Sequence, residues 1–182
     1  HIFASVADAG GVALARVPAG KHDHIKRVLD NGGHGIIVPM VCSRKEAEEC
    51  VAACLYPPKG TRSVGGSTHS LNWNATPTDY YAKANDEVAI ILQCEHIDAV
   101  RKFDEIYSVK GIDAVFVGPN DLAATMRAPD GTPPSPEEFK QALADILAAG
   151  KRIGVPVGIH TFSVEDAKMR IAEGWQFIAV SS

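Results

Sequence analysis

Two acidic residues stand where a parallel α/β protein does its chemistry. Glu95 follows the apolar run Ile90-Ile-Leu-Gln-Cys94, and Asp121 follows Phe116-Val-Gly-Pro-Asn120. Catalysis in such folds gathers at the carboxyl ends of the strands, so acids at neighbouring tips are brought together. Two facing carboxylates repel unless a proton or a cation lies between them. A hard divalent ion that keeps some of its waters suits such a pair and leaves positions open for substrate oxygens. A plainer reading stays open, in which Asp121 caps a helix beginning near Asn120-Asp-Leu-Ala-Ala-Thr-Met126.

Other residues could serve the same centre. Arg16 lies inside the run Val12-Ala-Leu-Ala-Arg-Val17, where an unpaired guanidinium is costly to bury. A carboxylate-bearing substrate would justify it through two parallel hydrogen bonds, and a structural ion pair is the alternative. Gly118-Pro119 forms a tight turn that would aim the backbone N–H groups of Asn120 and Asp121 at an anionic oxygen. Asp30 ends a helical pattern, a position the helix dipole disfavours for an acid, which hints at a task such as orienting a histidine. His96 beside Glu95 and His160 at a strand tip are candidates for supporting contacts, while His22 and His24 read as exposed. There is no nucleophile elbow, Ser-His-Asp pattern or phosphate loop, and no lysine within a strand to form a Schiff base. Cys42, Cys50, Cys54 and Cys94 form no C-x-x-C pair and read as small buried hydrophobes.

The elements that position these residues show as an alternation. Six short apolar runs read as buried strands: 12–17, 35–41, 88–93, 114–117, 155–159 and 177–180. Helical spacing joins Ile25, Val28 and Leu29, then Ala47, Cys50, Val51 and Cys54 behind a Ser43/Glu46 capping box. It also joins Ile97, Val100, Phe103 and Ile106. Ser135-Pro136 with Glu138 opens another helix, and Ser163 and Gly174 bracket the last. The stretch from Gly66 to Thr78 reads as a loop shaping a substrate pocket. Repeated βαβ units imply a parallel sheet, either open and doubly wound or closed as a barrel. No G-x-G-x-x-G follows the first strand, which weakens the dinucleotide-binding version of the open sheet. A barrel needs about 250 residues, so 182 would hold about six of its eight strands.

Composition narrows the partners. A net charge of −4 argues against nucleic acid, and no apolar run nears the ~20 residues of a membrane helix. No charged-then-apolar leader stands at the start, and a cytoplasmic location is expected.

Taken in order, Arg16-Val-Pro18, Ile25-Lys-Arg-Val-Leu-Asp30, Gly35-Ile-Ile-Val-Pro-Met-Val41, Tyr56-Pro-Pro-Lys-Gly-Thr-Arg62, Gln93-Cys-Glu95 and Gly111-Ile-Asp-Ala-Val-Phe-Val-Gly-Pro-Asn-Asp-Leu122 resemble the HpcH/HpaI aldolase/citrate lyase family, the class II pyruvate-dependent aldolases. The resemblance implies a TIM-type (β/α)8 barrel, with residues 1–182 as one barrel domain truncated at both ends. It implies cleavage of a 4-hydroxy-2-oxo acid to pyruvate and an aldehyde through a metal-stabilised enolate. Glu95 and Asp121 would be the ligands of a divalent metal, magnesium or manganese first, with cobalt and zinc also compatible. Gln93 would support the bound water or substrate, and Arg16 would polarise the pyruvate carbonyl. Gly118, Pro119, Asn120 and Asp121 would bind the carboxylate. Asp30 would pair with the family's catalytic histidine, which belongs to an upstream Asp-x-Glu-His segment not found between His1 and Ser182. Cys94 and His96 depart from the family pattern around Glu95. A homo-oligomer, a hexamer, is also implied. The alternatives are a CoA-ester lyase of the same superfamily and a non-catalytic remnant that binds metal or an oxo acid.

Overall fold

The computed structural model describes residues 1–181 and divides into two compact units. The first comprises His1–Pro39 and Glu48–Ile91. It carries α1 (Ile2–Asp8), β1 (Leu14–Arg16), α2 (His22–Asp30), β2 (Gly35–Val38) and most of α3 (Arg44–Cys54). A 3-10 helix (Thr68–Trp73), α4 (Pro77–Glu87) and the beginning of β3 (Ala89–Gln93) complete it. The second comprises Met40–Ala47 and the chain from Leu92 onward. It carries α5 (Ile97–Arg101), α6 (Phe103–Tyr107), β4 (Ala114–Val117) and α7 (Pro119–Thr125). It ends with α8 (Pro136–Ile153), β5 (Val157–Thr161), α9 (Val164–Glu173) and β6 (Phe177–Val180).

The sheet runs β1-β2-β3-β4-β5-β6, in chain order throughout. The pairs β1/β2, β4/β5 and β5/β6 are parallel, with Leu14 opposite Gly35, Val115 opposite Val157 and Ile159 opposite Ile178. A doubly wound sheet reverses its strand order at a switch point, whereas a (β/α) barrel adds each strand beside the last. The sequential order decides for the barrel type. Six strands are present among the described residues, as the length suggested.

Local chemistry explains the elements. Ser135 accepts the Glu138 N–H while the Glu138 carboxylate accepts the Ser135 N–H, which closes the start of α8. Gly154 ends that helix at φ 73°, and Gly174 ends α9 at φ 104°, where a side chain would be strained. Within the first unit, a Cβ on Gly35 would lie 2.5 Å from the Ala89 carbonyl oxygen, so only glycine lets β2 and the start of β3 approach.

Several boundaries depart from the sequence reading. The stretch 66–78 is not one loop: it holds the 3-10 helix and the first turn of α4, which Thr76 caps by accepting the Asp79 N–H. The helix expected through Ile106 breaks at Lys102 into α5 and α6. At α3 the Glu46 carboxylate reaches past Ser43 to the Cys42 N–H at 2.8 Å, so the box is offset by one residue. β1 (Leu14–Arg16) is shorter than the apolar run 12–17.

Candidate active site

Glu95 follows β3 by two residues and is buried, 1% exposed. A buried carboxylate must be held by donors or charge, and here both oxygens are held. Met40 N–H donates to Oε1 at 3.0 Å, and Gln93 Nε2 donates to Oε2 at 2.8 Å. The Cys94 N–H donates to Phe116 C=O at 2.9 Å, which sets Glu95 opposite the end of β4. There the next residue after the strand is Gly118, and a Cβ on it would lie 2.2 Å from Glu95 Oε2. The glycine is therefore required by the carboxylate's position and not by its backbone, whose φ of −91° suits any residue.

Gly118 is the N-cap of α7, Pro119 its first residue, and Asn120 and Asp121 complete the exposed first turn. Asp121 is not the cap: the N-cap is Gly118, which supplies no side chain. The plain-cap reading is thereby removed, and the acid sits where the helix dipole favours negative charge. The N–H groups of Asn120 and Asp121 belong to the helix's opening turn and have no intrahelical acceptor. Thr125 ties this helix back to the tip of β3. Its hydroxyl accepts the Ile97 N–H at 3.1 Å and donates to Leu122 C=O at 3.0 Å.

Behind the carboxylate, the fully buried Tyr107 hydroxyl lies 2.9 Å from Val41 C=O and 3.1 Å from Gln93 C=O. Tyr107→Phe removes the one hydroxyl proton that these two buried carbonyls share and is expected to cost about 1–3 kcal/mol, read from the urea midpoint. An unchanged midpoint would mean the hydroxyl holds nothing. Cys94 is buried, and burial pushes its thiol up to about 12, so it is an inert apolar neighbour of Glu95. Burial, followed by the charge of Glu46, also raises Cys42. His96 is used locally: its Nδ1 accepts the Asp98 N–H and caps α5. His160 Nε2 lies 2.8 Å from Ser181 Oγ. Among the described residues, no group of three or more His, Cys, Asp or Glu side chains could hold a metal by itself.

The first unit carries a second polar cluster. Arg62 is 0% exposed, and its Nε and Nη2 donate to Asp30 Oδ1 at 3.2 and 2.8 Å. Nη2 also donates to Tyr80 Oη at 3.2 Å, and the guanidinium lies 4.4 Å over the Tyr56 ring. Lys26 holds the other Asp30 oxygen. Burial works to raise the Asp30 carboxyl, but the hydrogen bonds and charges of Lys26 and Arg62 outweigh it and hold it below its ordinary range. The buried His69 packs edge-on to Tyr80, and burial with the nearby Arg62 charge lowers its pKa, keeping the ring neutral. Asp30 thus closes α2 ahead of the amino end of β2, not at a carboxyl-terminal tip. Arg16 ends β1 at a carboxyl tip and is exposed, where the sequence suggested burial.

Sequence reasoning missed Met40, Tyr107, Arg62 and His69 as site-forming residues. Arg62 sits in a Pro- and Gly-rich connection with no periodicity to mark it as buried. Met40 acts through its backbone, which a side-chain pattern cannot show.

A family model for HpcH/HpaI aldolase/citrate lyase matches residues 3–182. The chain belongs to the HpcH/HpaI aldolase/citrate lyase family. It is 43% identical over 158 residues to a hydroxypyruvate/pyruvate aldolase of Sagittula stellata, covering 86% of this chain and 60% of that one. It is 37% identical to a 5-keto-4-deoxy-D-glucarate aldolase of Shigella dysenteriae, covering 93% of this chain and 65% of that one. The chain therefore spans less than two thirds of these relatives. Among solved structures, an HpcH/HpaI aldolase from Desulfitobacterium hafniense DCB-2 superposes with a TM-score of 0.86 at 30% identity, over 100% of this chain and 70% of that one. This likeness agrees with the barrel type read from the strand order. No helix among the described residues is long and apolar enough to cross a membrane.

Proposed function

We propose that this chain is the larger part of a divalent-metal-dependent aldolase that splits a 4-hydroxy-2-oxo acid into pyruvate and an aldehyde. The observation that carries the proposal is the Glu95 carboxylate, buried yet oriented from both sides beside a glycine that clears its approach. A buried anion with fixed oxygens and an exposed second acid on the neighbouring strand's helix fit a hard cation, magnesium or manganese, with water and substrate oxygens completing its shell. Glu95 and Asp121 would hold it, and once bound it supplies positive charge where the 2-oxo acid's oxygen becomes anionic.

The chain's own groups would do the rest. Gln93 keeps Glu95 in place. Arg16 offers a guanidinium for the keto oxygen. The N–H groups of Asn120 and Asp121, past Gly118 and Pro119, take the substrate carboxylate. Asp30 is held ionised by Arg62 and Lys26, which occupy three of the roughly four acceptor positions a carboxylate has and leave one for a histidine. The named aldolase relatives support the activity. Pyruvate and an aldehyde as ligands, one barrel domain, a homo-oligomeric hexamer and a cytoplasmic location belong to the same proposal.

The test is deuterium exchange into the pyruvate methyl group, followed by proton NMR on the protein in its natural length. Exchange should require a divalent ion and fall about 10²–10³-fold in Arg16→Ala, the loss typical of one oxyanion donor. A folded protein with a divalent ion bound that exchanges nothing would leave a binding remnant as the better reading.

A further inference from the structure

We infer that Met40 is a positioning residue whose left-handed backbone aims the amide that fixes Glu95, and so sets the affinity of that carboxylate for a divalent cation. The inference rests on the reading of Glu95 as a metal-holding group.

Two non-glycine residues among those described have positive φ, Met40 at 54° and Asn74 at 49°. Asn74 needs no special account: asparagine tolerates this conformation, and here it caps the 3-10 helix. Met40 has no such excuse. Its side chain is 45% exposed, so burial does not offset the strain. Pro39 before it fixes its own φ but does not force the next residue to turn left-handed. What holds Met40 is the backbone of three successive residues. Met40 N–H donates to Glu95 Oε1 at 3.0 Å. Val41 C=O accepts from the Tyr107 hydroxyl at 2.9 Å, and Cys42 N–H donates to Glu46 Oε2 at 2.8 Å. Returned to the extended region, residue 40 would swing its N–H out of this row, and Oε1 would lose this hydrogen bond.

Strain of this kind persists where the surroundings over-determine it, and such places cluster at functional sites. The consequence here is specific. Gln93 holds Oε2 beside the bare Gly118, and the Met40 N–H holds Oε1. Together they leave the carboxylate one orientation. Groups that orient a ligand from behind typically contribute 10–100-fold to metal affinity.

The experiment measures Mn2+ affinity by electron paramagnetic resonance of the free ion, on the full-length protein, for wild type, Met40→Val, Met40→Ala, Met40→Gly and Glu95→Gln. Valine, branched at Cβ, resists the left-handed region and should weaken Mn2+ about 10–100-fold. Glycine adopts that region freely, so Met40→Gly should restore the wild-type Kd and raise the Tm. Alanine, unbranched at Cβ like methionine, should keep the wild-type Kd, and Met40→Thr, branched like valine, replaces valine if valine does not fold. Wild-type Mn2+ affinity in the folded valine or threonine variant, alongside loss in Glu95→Gln, would overturn this inference alone. Mn2+ binding that Glu95→Gln leaves untouched would overturn the metal reading, and this inference with it.

Discussion

Glu95→Gln is expected to abolish divalent-ion binding and lower metal-dependent pyruvate exchange at least about 10³-fold, or ~4 kcal/mol. Glutamine keeps the volume of the side chain but removes the charge that makes a hard cation prefer this position. It also turns one of the two held oxygens into an NH₂ group. With the remaining oxygen kept on Met40 N–H, the new NH₂ takes the place of Oε2 and the Gln93 amide turns to offer it its oxygen. Glu95→Asp keeps the charge but draws the carboxylate back by one methylene from both donors, so its loss should be smaller and fall mainly on metal affinity. Stability separates these outcomes from misfolding. Glu95 is 1% exposed, and a buried carboxylate costs desolvation that a neutral amide avoids. The glutamine variant should therefore melt no lower than wild type while losing the ion. Calorimetric titration with Mn2+ and the pyruvate methyl signal in D2O check the two halves. Glutamine binding Mn2+ within about threefold of wild type, a difference near 0.6 kcal/mol, would remove Glu95 from the ligand set.

Much of this arrangement was legible in the residues, for reasons that differ by element. β4 and β6 matched their apolar runs end to end, 114–117 and 177–180, and β4 is buried along its whole length, as an unbroken apolar run implies. The starts of α8 and α9 were legible because Ser135 and Ser163 do their capping through side chains. Glu95, Gln93 and Gly118 were placed correctly at strand ends, since that placement follows from order along the chain. Position within a strand was harder. The hydrophobicity of its neighbours suggests burial for Arg16, whereas it ends β1 and is exposed. The polar stretch 66–78 hid two helical segments, because a Thr76-Pro77 start followed by Asp79 carries its signal in capping and not in apolar period.

What the residues could not disclose was which polar groups meet through the backbone or through distant packing. Asp30 drew notice as an acid at the wrong end of a helix, and the structure explains it. The opposing dipole is outweighed by a lysine one turn back and a buried arginine 32 residues ahead. Nothing in the local sequence of Arg62 announces that partner.

That pair supports the second large effect. Arg62→Met should destabilise the protein by about 3 kcal/mol, within the range for removing one partner of a buried ion pair and below its top because Asp30 is partly exposed. Asp30→Asn should cost a similar amount for the opposite reason: it leaves a guanidinium that is 0% exposed without its counter-charge. Nη1 of Arg62 already lacks a hydrogen-bond partner among the described residues, so the cluster has no spare acceptor to compensate. The double variant should lose less than the sum, because methionine and asparagine together bury no unpaired charge. Proton linkage gives an independent check. Asp30 is held below its ordinary pKa in the folded state. Its contribution is therefore complete above about pH 4, the unfolded value, and disappears as pH falls through the lower folded value. Urea midpoints of wild type and Asp30→Asn should differ at neutral pH and draw together in acid. If instead the gap persisted in acid below the folded value, with the carboxyl protonated in both states, the asparagine would be acting through packing and the ion pair would not be what holds Arg62 in place.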